Sequence, residues 1–161
     1  RNLILAYDQT GDQKYLDESK AWLTQSLGSR GPTSKWDQYW MYGLASEPLM
    51  ELYRKTGDAK FAQIAVDCCD SLINSYWREE KGSVQDLNGF TLICYGHAYE
   101  LTGDEKYLRK GVSALTATSK EHAGSTKTFA QGFRISPYFL HYLTQGYQPP
   151  KAVIGKSNAT K

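Results

Sequence analysis

Apolar positions along the chain recur at three- and four-residue spacing in blocks, and each block is interrupted by the same tripeptide. Leu44, Leu49, Leu52 and Tyr53 lead into Thr56-Gly57-Asp58, and Phe61, Ile64, Ala65, Cys68, Leu72 and Ile73 follow it at the spacing of an amphipathic helix. Phe90, Ile93, Cys94 and Ala98 lead into Thr102-Gly103-Asp104, with Tyr107, Leu108, Val112 and Leu115 beyond it. Tyr15, Trp22, Leu23 and Leu27 follow Thr10-Gly11-Asp12 in the same way. A glycine can end a helix in the left-handed conformation and the next aspartate can cap a new one, so each tripeptide predicts a tight helix-to-helix turn. The segment before the turn reads as more apolar than its partner, which predicts an inner and an outer layer.

The three tripeptides stand 46 residues apart, and the match extends beyond them. Tyr7, Tyr53 and Tyr99 precede them, while Lys14, Lys60 and Lys106 follow, each just before an aromatic residue, Tyr15, Phe61 or Tyr107. Self-similarity at a fixed period predicts an all-α fold of antiparallel helical hairpins with a 46-residue repeat, over residues 1–147. A fourth hairpin begins at Ser136-Pro137, where a shift of 89 sets Tyr142 and Gly146 in the places of Tyr53 and Gly57. Pro149, Pro150 and the polar stretch from Lys151 to Lys161 then stop the pattern, leaving 148–161 as a polar C-terminal tail. Arg1 to Ala6 supplies only the last turns of an inner helix, and the chain opens without a Met. The rest of a longer parent chain, or a second subunit, is expected to cover the open edge.

At 161 residues the chain suits one domain with its own core. Its 19 Lys and Arg are interleaved with 17 Asp and Glu to a net +2, which argues against a nucleic-acid partner. No apolar run approaches the roughly 20 residues of a membrane span, so no membrane partner is expected. Cys68, Cys69 and Cys94 form no disulfide framework, and each is expected as a small buried hydrophobe. Asn158-Ala159-Thr160 is a glycosylation acceptor if the chain takes a secretory route. The compartment stays open, with an extracellular or periplasmic setting favoured over the cytoplasm.

Candidate chemistry falls in the long return connections, which should gather at one end of the stack. The first, Gly28 to Trp40, and the helix start after it carry Trp36, Asp37, Gln38, Tyr39, Trp40 and Tyr42. The second, Trp77 to Asn88, carries Arg78, Glu79, Glu80, Gln85, Asp86 and Asn88, and the third, Lys120 to Arg134, carries His122, Phe129, Gln131 and Arg134. Flat aromatic faces beside amides and carboxylates suit a sugar ring, with its apolar C–H face and its hydroxyls. Asp37 and Asp86 are the carboxylates placed for acid and base work, and N-capping is the competing role for each. His122 is the histidine placed for proton transfer, and Arg134 could hold an acidic group unless a neighbouring Glu claims it. Trp36 and Trp40 can instead bury the entrance of an inner helix. His97 and His141 fall within inner helices and read as structural, buried or partly buried, and no metal or other cofactor is expected.

The segments LYRKTGDAKFAQIA and AYELTGDEKYLRKG resemble the hairpin turns of the six-hairpin (α/α) toroid superfamily, which includes glycoside hydrolases, polysaccharide lyases and unsaturated glucuronyl hydrolases. The resemblance covers roughly residues 1 to 146 and lies in scaffold turns. It implies a partial toroid, part of an enzyme acting on an oligo- or polysaccharide that enters from the end bearing the long connections. The chain supplies three turns and parts of four inner helices, short of the family's complete ring of about six hairpins. A non-catalytic helical repeat module, for protein interaction or support within a larger protein, is the alternative. Its tetratricopeptide form has a period of about 34 residues and does not fit. Cys94-Tyr95-Gly96-His97 also resembles a metal-binding segment of lanthionine-type synthetases, although no partner segment accompanies it.

Overall fold

The computed structural model describes residues 2–28, 39–84, 88–121 and 137–144. Six helices carry most of it: α1 (Asn2–Thr10), α2 (Gln13–Gly28), α3 (Trp40–Thr56), α4 (Ala59–Tyr76), α5 (Leu92–Thr102) and α6 (Glu105–Glu121). A 3-10 turn at Asn88–Phe90 precedes α5, and a further helix, α7, occupies 137–144. Among the described residues the one extended pairing is an isolated antiparallel bridge between Arg78 and Ser83. The all-α expectation holds, and no helix among the described residues is long and apolar enough to cross a membrane.

All three Thr-Gly-Asp turns are built alike. Gly11, Gly57 and Gly103 take φ of 69°, 68° and 66°, where a side chain is strained, and their N–H groups each donate at 2.8 Å to the carbonyls of Tyr7, Tyr53 and Tyr99. The threonine hydroxyl donates back to the carbonyl four residues earlier at 2.7 Å in each copy and accepts from the aspartate N–H. The aspartate then caps the next helix, with Asp12, Asp58 and Asp104 accepting from the N–H of Lys14, Lys60 and Lys106. The repetition of the tripeptide thus follows from four hydrogen bonds to backbone groups at the helix ends being made by three residues.

These turns pack α1 on α2, α3 on α4 and α5 on α6, while α3 and α4 both meet α5. The ends of the odd-numbered helices are cross-linked by charge: Lys55 pairs with Asp8 across α3 and α1, and Arg54 with Glu100 across α3 and α5. Each of these residues lies within the last turn of its helix, so the C-terminal ends of α1, α3 and α5 lie together. The even helices have their own link, since Asp70 on α4 accepts from Tyr107 at 2.9 Å and pairs with Lys106 at 3.2 Å on α6. Partly exposed pairs are worth about 0–1 kcal/mol each, against about 1.5–3 kcal/mol for burying one large apolar side chain. The core therefore holds the helices together and the ion pairs set their register.

α5 is buried almost all round, from Leu92 to Tyr99 and again at Leu101 and Thr102, whereas α6 buries one face. That pair shows the expected difference between layers, but α3 and α4 do not: α4 buries Phe61, Ala62, Ala65, Val66, Cys68, Cys69 and Leu72 because α3 and α5 both press on it. All three cysteines are buried, and burial pushes the Cys68 and Cys69 thiols up, so both stay protonated and unreactive. Two helix faces differ from expectation. In α2 the buried face is Leu16, Ser19 and Leu23, which leaves Trp22 64% exposed; in α6 it is Tyr107, Gly111, Ala114 and Thr118, which leaves Val112 outside. α7 reaches close because α5 and α6 offer glycines there. A side chain at Gly96 would collide with the Tyr142 ring, and one at Gly111 with Phe139.

Candidate functional site

Few of the side chains expected to act from the return connections fall where the structure describes them. Trp36, Asp37, Gln38, Gln85, Asp86, His122, Phe129, Gln131 and Arg134 lie outside the described residues, and Asn88 is described in its backbone as the first residue of the 3-10 turn. Tyr39, Trp40 and Tyr42 are described, and they pack inward. Tyr42 is fully buried, 6.1 Å from the Tyr76 ring, so it belongs to the core and presents no surface to a ligand. Tyr39 tilts against Tyr76 at 5.8 Å and Trp40 against Phe90 at 6.4 Å, which seats both rings at the entrance of α3. The start of the second return is likewise engaged. Arg78 N–H donates to the Ser83 carbonyl, Ser113 on α6 donates to the Gly82 carbonyl at 2.6 Å, and Lys110 pairs with Glu79 while covering the Trp77 ring at 3.9 Å.

A cavity of about 320 Å³ lies instead between α3, α5 and α7. Its walls are Arg54 from α3, Ile93, His97 and Glu100 from α5, and Tyr138, His141 and Tyr142 from α7. On α5 these positions follow i, i+4 and i+7, one stripe along the helix. Tyr95, two residues from His97 and so about 200° around the axis, faces α6 beside Gly111. The cavity stripe therefore looks away from the α6 side, and the described walls come from α3, α5 and α7.

At one end of the cavity the charges form a closed network. Arg54 Nη2 donates to both Glu100 oxygens, at 2.9 and 2.7 Å, and the Tyr142 hydroxyl donates to Glu100 Oε2 at 2.8 Å. Burial, and then the Glu100 carboxylate, push the Tyr142 phenol up, so it stays a donor. Deeper in, His97 is 5% exposed, with Nδ1 2.7 Å from the Oγ of Ser46 on α3, itself fully buried. Burial, and then the Arg54 charge, push His97 down to about 3, which keeps the imidazole neutral. With Nδ1 engaged, Nε2 is the ring nitrogen left for the cavity. His141 is exposed, where a buried or partly buried position was expected, and stands edge-on to Tyr142 at 5.8 Å. Tyr138 is 61% exposed and gives the cavity an accessible aromatic face.

Such a cavity can hold a hydroxyl-rich ligand against an aromatic ring, and Glu100 is the one carboxylate among its described walls. Hydrolysis of a glycosidic bond ordinarily takes two. Among the described residues no three His, Cys, Asp or Glu side chains gather as a metal ion would require. Arg54, Glu100 and Tyr138 were not candidates from sequence. The first two carried a signal nonetheless, since Asp8, Arg54 and Glu100 each stand three residues before a turn glycine, 46 apart, and alternate in sign. Comparisons with protein-family profiles, curated proteins and solved structures return no match for this chain.

Proposed function

We propose that the chain is a partial (α/α) toroid of antiparallel hairpins with a 46-residue repeat, and that the cleft on its odd-numbered helices binds an oligo- or polysaccharide. The observation that carries this reading is the exposed Tyr138 ring sharing one 320 Å³ cavity with His97, His141 and the Arg54–Glu100 pair. A sugar lays its C–H face on such a ring while neighbouring polar groups meet its hydroxyls. Support for the toroid comes from the three identical turns and from the C-terminal ends of α1, α3 and α5 lying together, with the cavity walled by α3 and α5. Within this reading the chain is part of a glycoside hydrolase or polysaccharide lyase, with Asp37, Asp86 and His122 reserved for the chemistry and the remaining hairpins supplied by a parent chain or second subunit.

Titration calorimetry with a panel of soluble oligosaccharides tests the binding step. Tyr138→Ala should weaken binding at least about tenfold, about 1.4 kcal/mol. Because the ring is mostly exposed, stability should change by no more than about 0.5 kcal/mol. Absence of binding by any glycan would favour the second reading, a non-catalytic helical module inside a larger protein. One feature favours that alternative: Arg54, Glu100 and Tyr142 satisfy one another without any ligand.

A further inference from the structure

The charges on the described walls of the saccharide cleft pair with each other before any ligand arrives. The cavity's guanidinium, Arg54, directs Nη2 at both oxygens of Glu100, and the Tyr142 hydroxyl is committed to the same carboxylate. His97 is held by Ser46 and offers a single neutral nitrogen. An anionic ligand group would have to displace Glu100 from Nη2 or take the other Arg54 N–H groups beside that carboxylate, and like charges at close range are costly in a partly buried site. Hydroxyls face no such conflict, because they can donate to Glu100 and accept from Tyr138 or an imidazole.

Resting on the saccharide reading above, we infer that the cleft selects an uncharged sugar unit and discriminates against uronates, and that Glu100 is the specificity-determining residue. Glu100 claims Nη2 of Arg54 and offsets its charge; remove the carboxylate's charge and the guanidinium becomes a better bidentate partner for a ligand carboxylate. Specificity here comes from a repulsive and competing group, not from an added attraction.

The test is calorimetric titration at about pH 8, above the range where imidazoles ordinarily titrate, of neutral gluco-, manno- and galacto-oligosaccharides and of the uronates with the same backbones. The wild-type chain should bind one neutral series at least about tenfold tighter than its uronate. Glu100→Gln, which keeps the side chain's shape and its bond from Tyr142, should raise uronate affinity by at least about tenfold and narrow or reverse the preference. Circular dichroism of the variant confirms that it is folded, and Glu100→Asp serves as the charge-retaining control, which should keep the neutral preference. Equal or tighter binding of the uronate by the wild-type chain overturns the inference and leaves the saccharide reading standing, as does a Glu100→Gln variant with unchanged preference. Binding of neither series overturns the saccharide reading, and the inference falls with it.

Discussion

Burying an imidazole removes its charge, and His97 shows what that costs. Folded, its pKa is pushed down to about 3 by burial and then by Arg54; unfolded, it returns to the ordinary 6.5. As pH falls the unfolded chain takes up the proton first. The stability His97 provides is therefore whole above about pH 6.5 and is lost progressively from there down to about 3, at up to about 1.4 kcal/mol per pH unit. Urea unfolding at several pH values in this window should show a shallower loss for His97→Gln than for the wild-type chain; parallel slopes would mean the ring is not buried as described. Sequence placed this histidine in a helix interior, and burial follows from α5 being packed on nearly every side. Its partner was not legible, because Ser46 lies 51 residues away and only the packing of α3 on α5 brings them together. His141 has the same residue type at a comparable helical position, yet it is exposed. What separates the two is how many helices surround each one.

Elements were legible wherever a local rule fixed them. The three turns follow from a glycine that must adopt positive φ, a threonine that closes the last carbonyls and an aspartate that caps, all within one tripeptide. Asp58→Ala should cost about 1 kcal/mol through loss of the cap on α4, and Gly57→Ala about the same through its left-handed backbone, since open space surrounds that position. Thermal unfolding reads both, and an effect below about 0.3 kcal/mol for either would mean the turn is held by something else. Helix faces were harder. Val112 and Trp22 are apolar at plausible spacing but point outward, while Gly111, Ala114 and Ser19 point inward. A face made of small residues is invisible to hydropathy and plain in packing, because it lets Phe139 approach α6.

At the scale of the whole molecule, charge pairs bring the ends of α1, α3 and α5 together, α3 and α5 share the cavity, and α7 closes one side of it. The long connections named from sequence rest on composition alone, since most of their candidate residues fall outside the described ones. The cavity could have been reached from the register of charges before each turn, Asp8, Arg54 and Glu100, but only once successive hairpins were known to lie side by side. The most direct measurement is a backbone amide NMR titration of the chain with the neutral oligosaccharide that binds best. Perturbed resonances should cluster at Arg54, along 93–100 of α5 and at 138–142 of α7. Perturbations confined to α2, α4 and α6, or none at saturating sugar, would contradict a saccharide cleft on the odd-numbered helices.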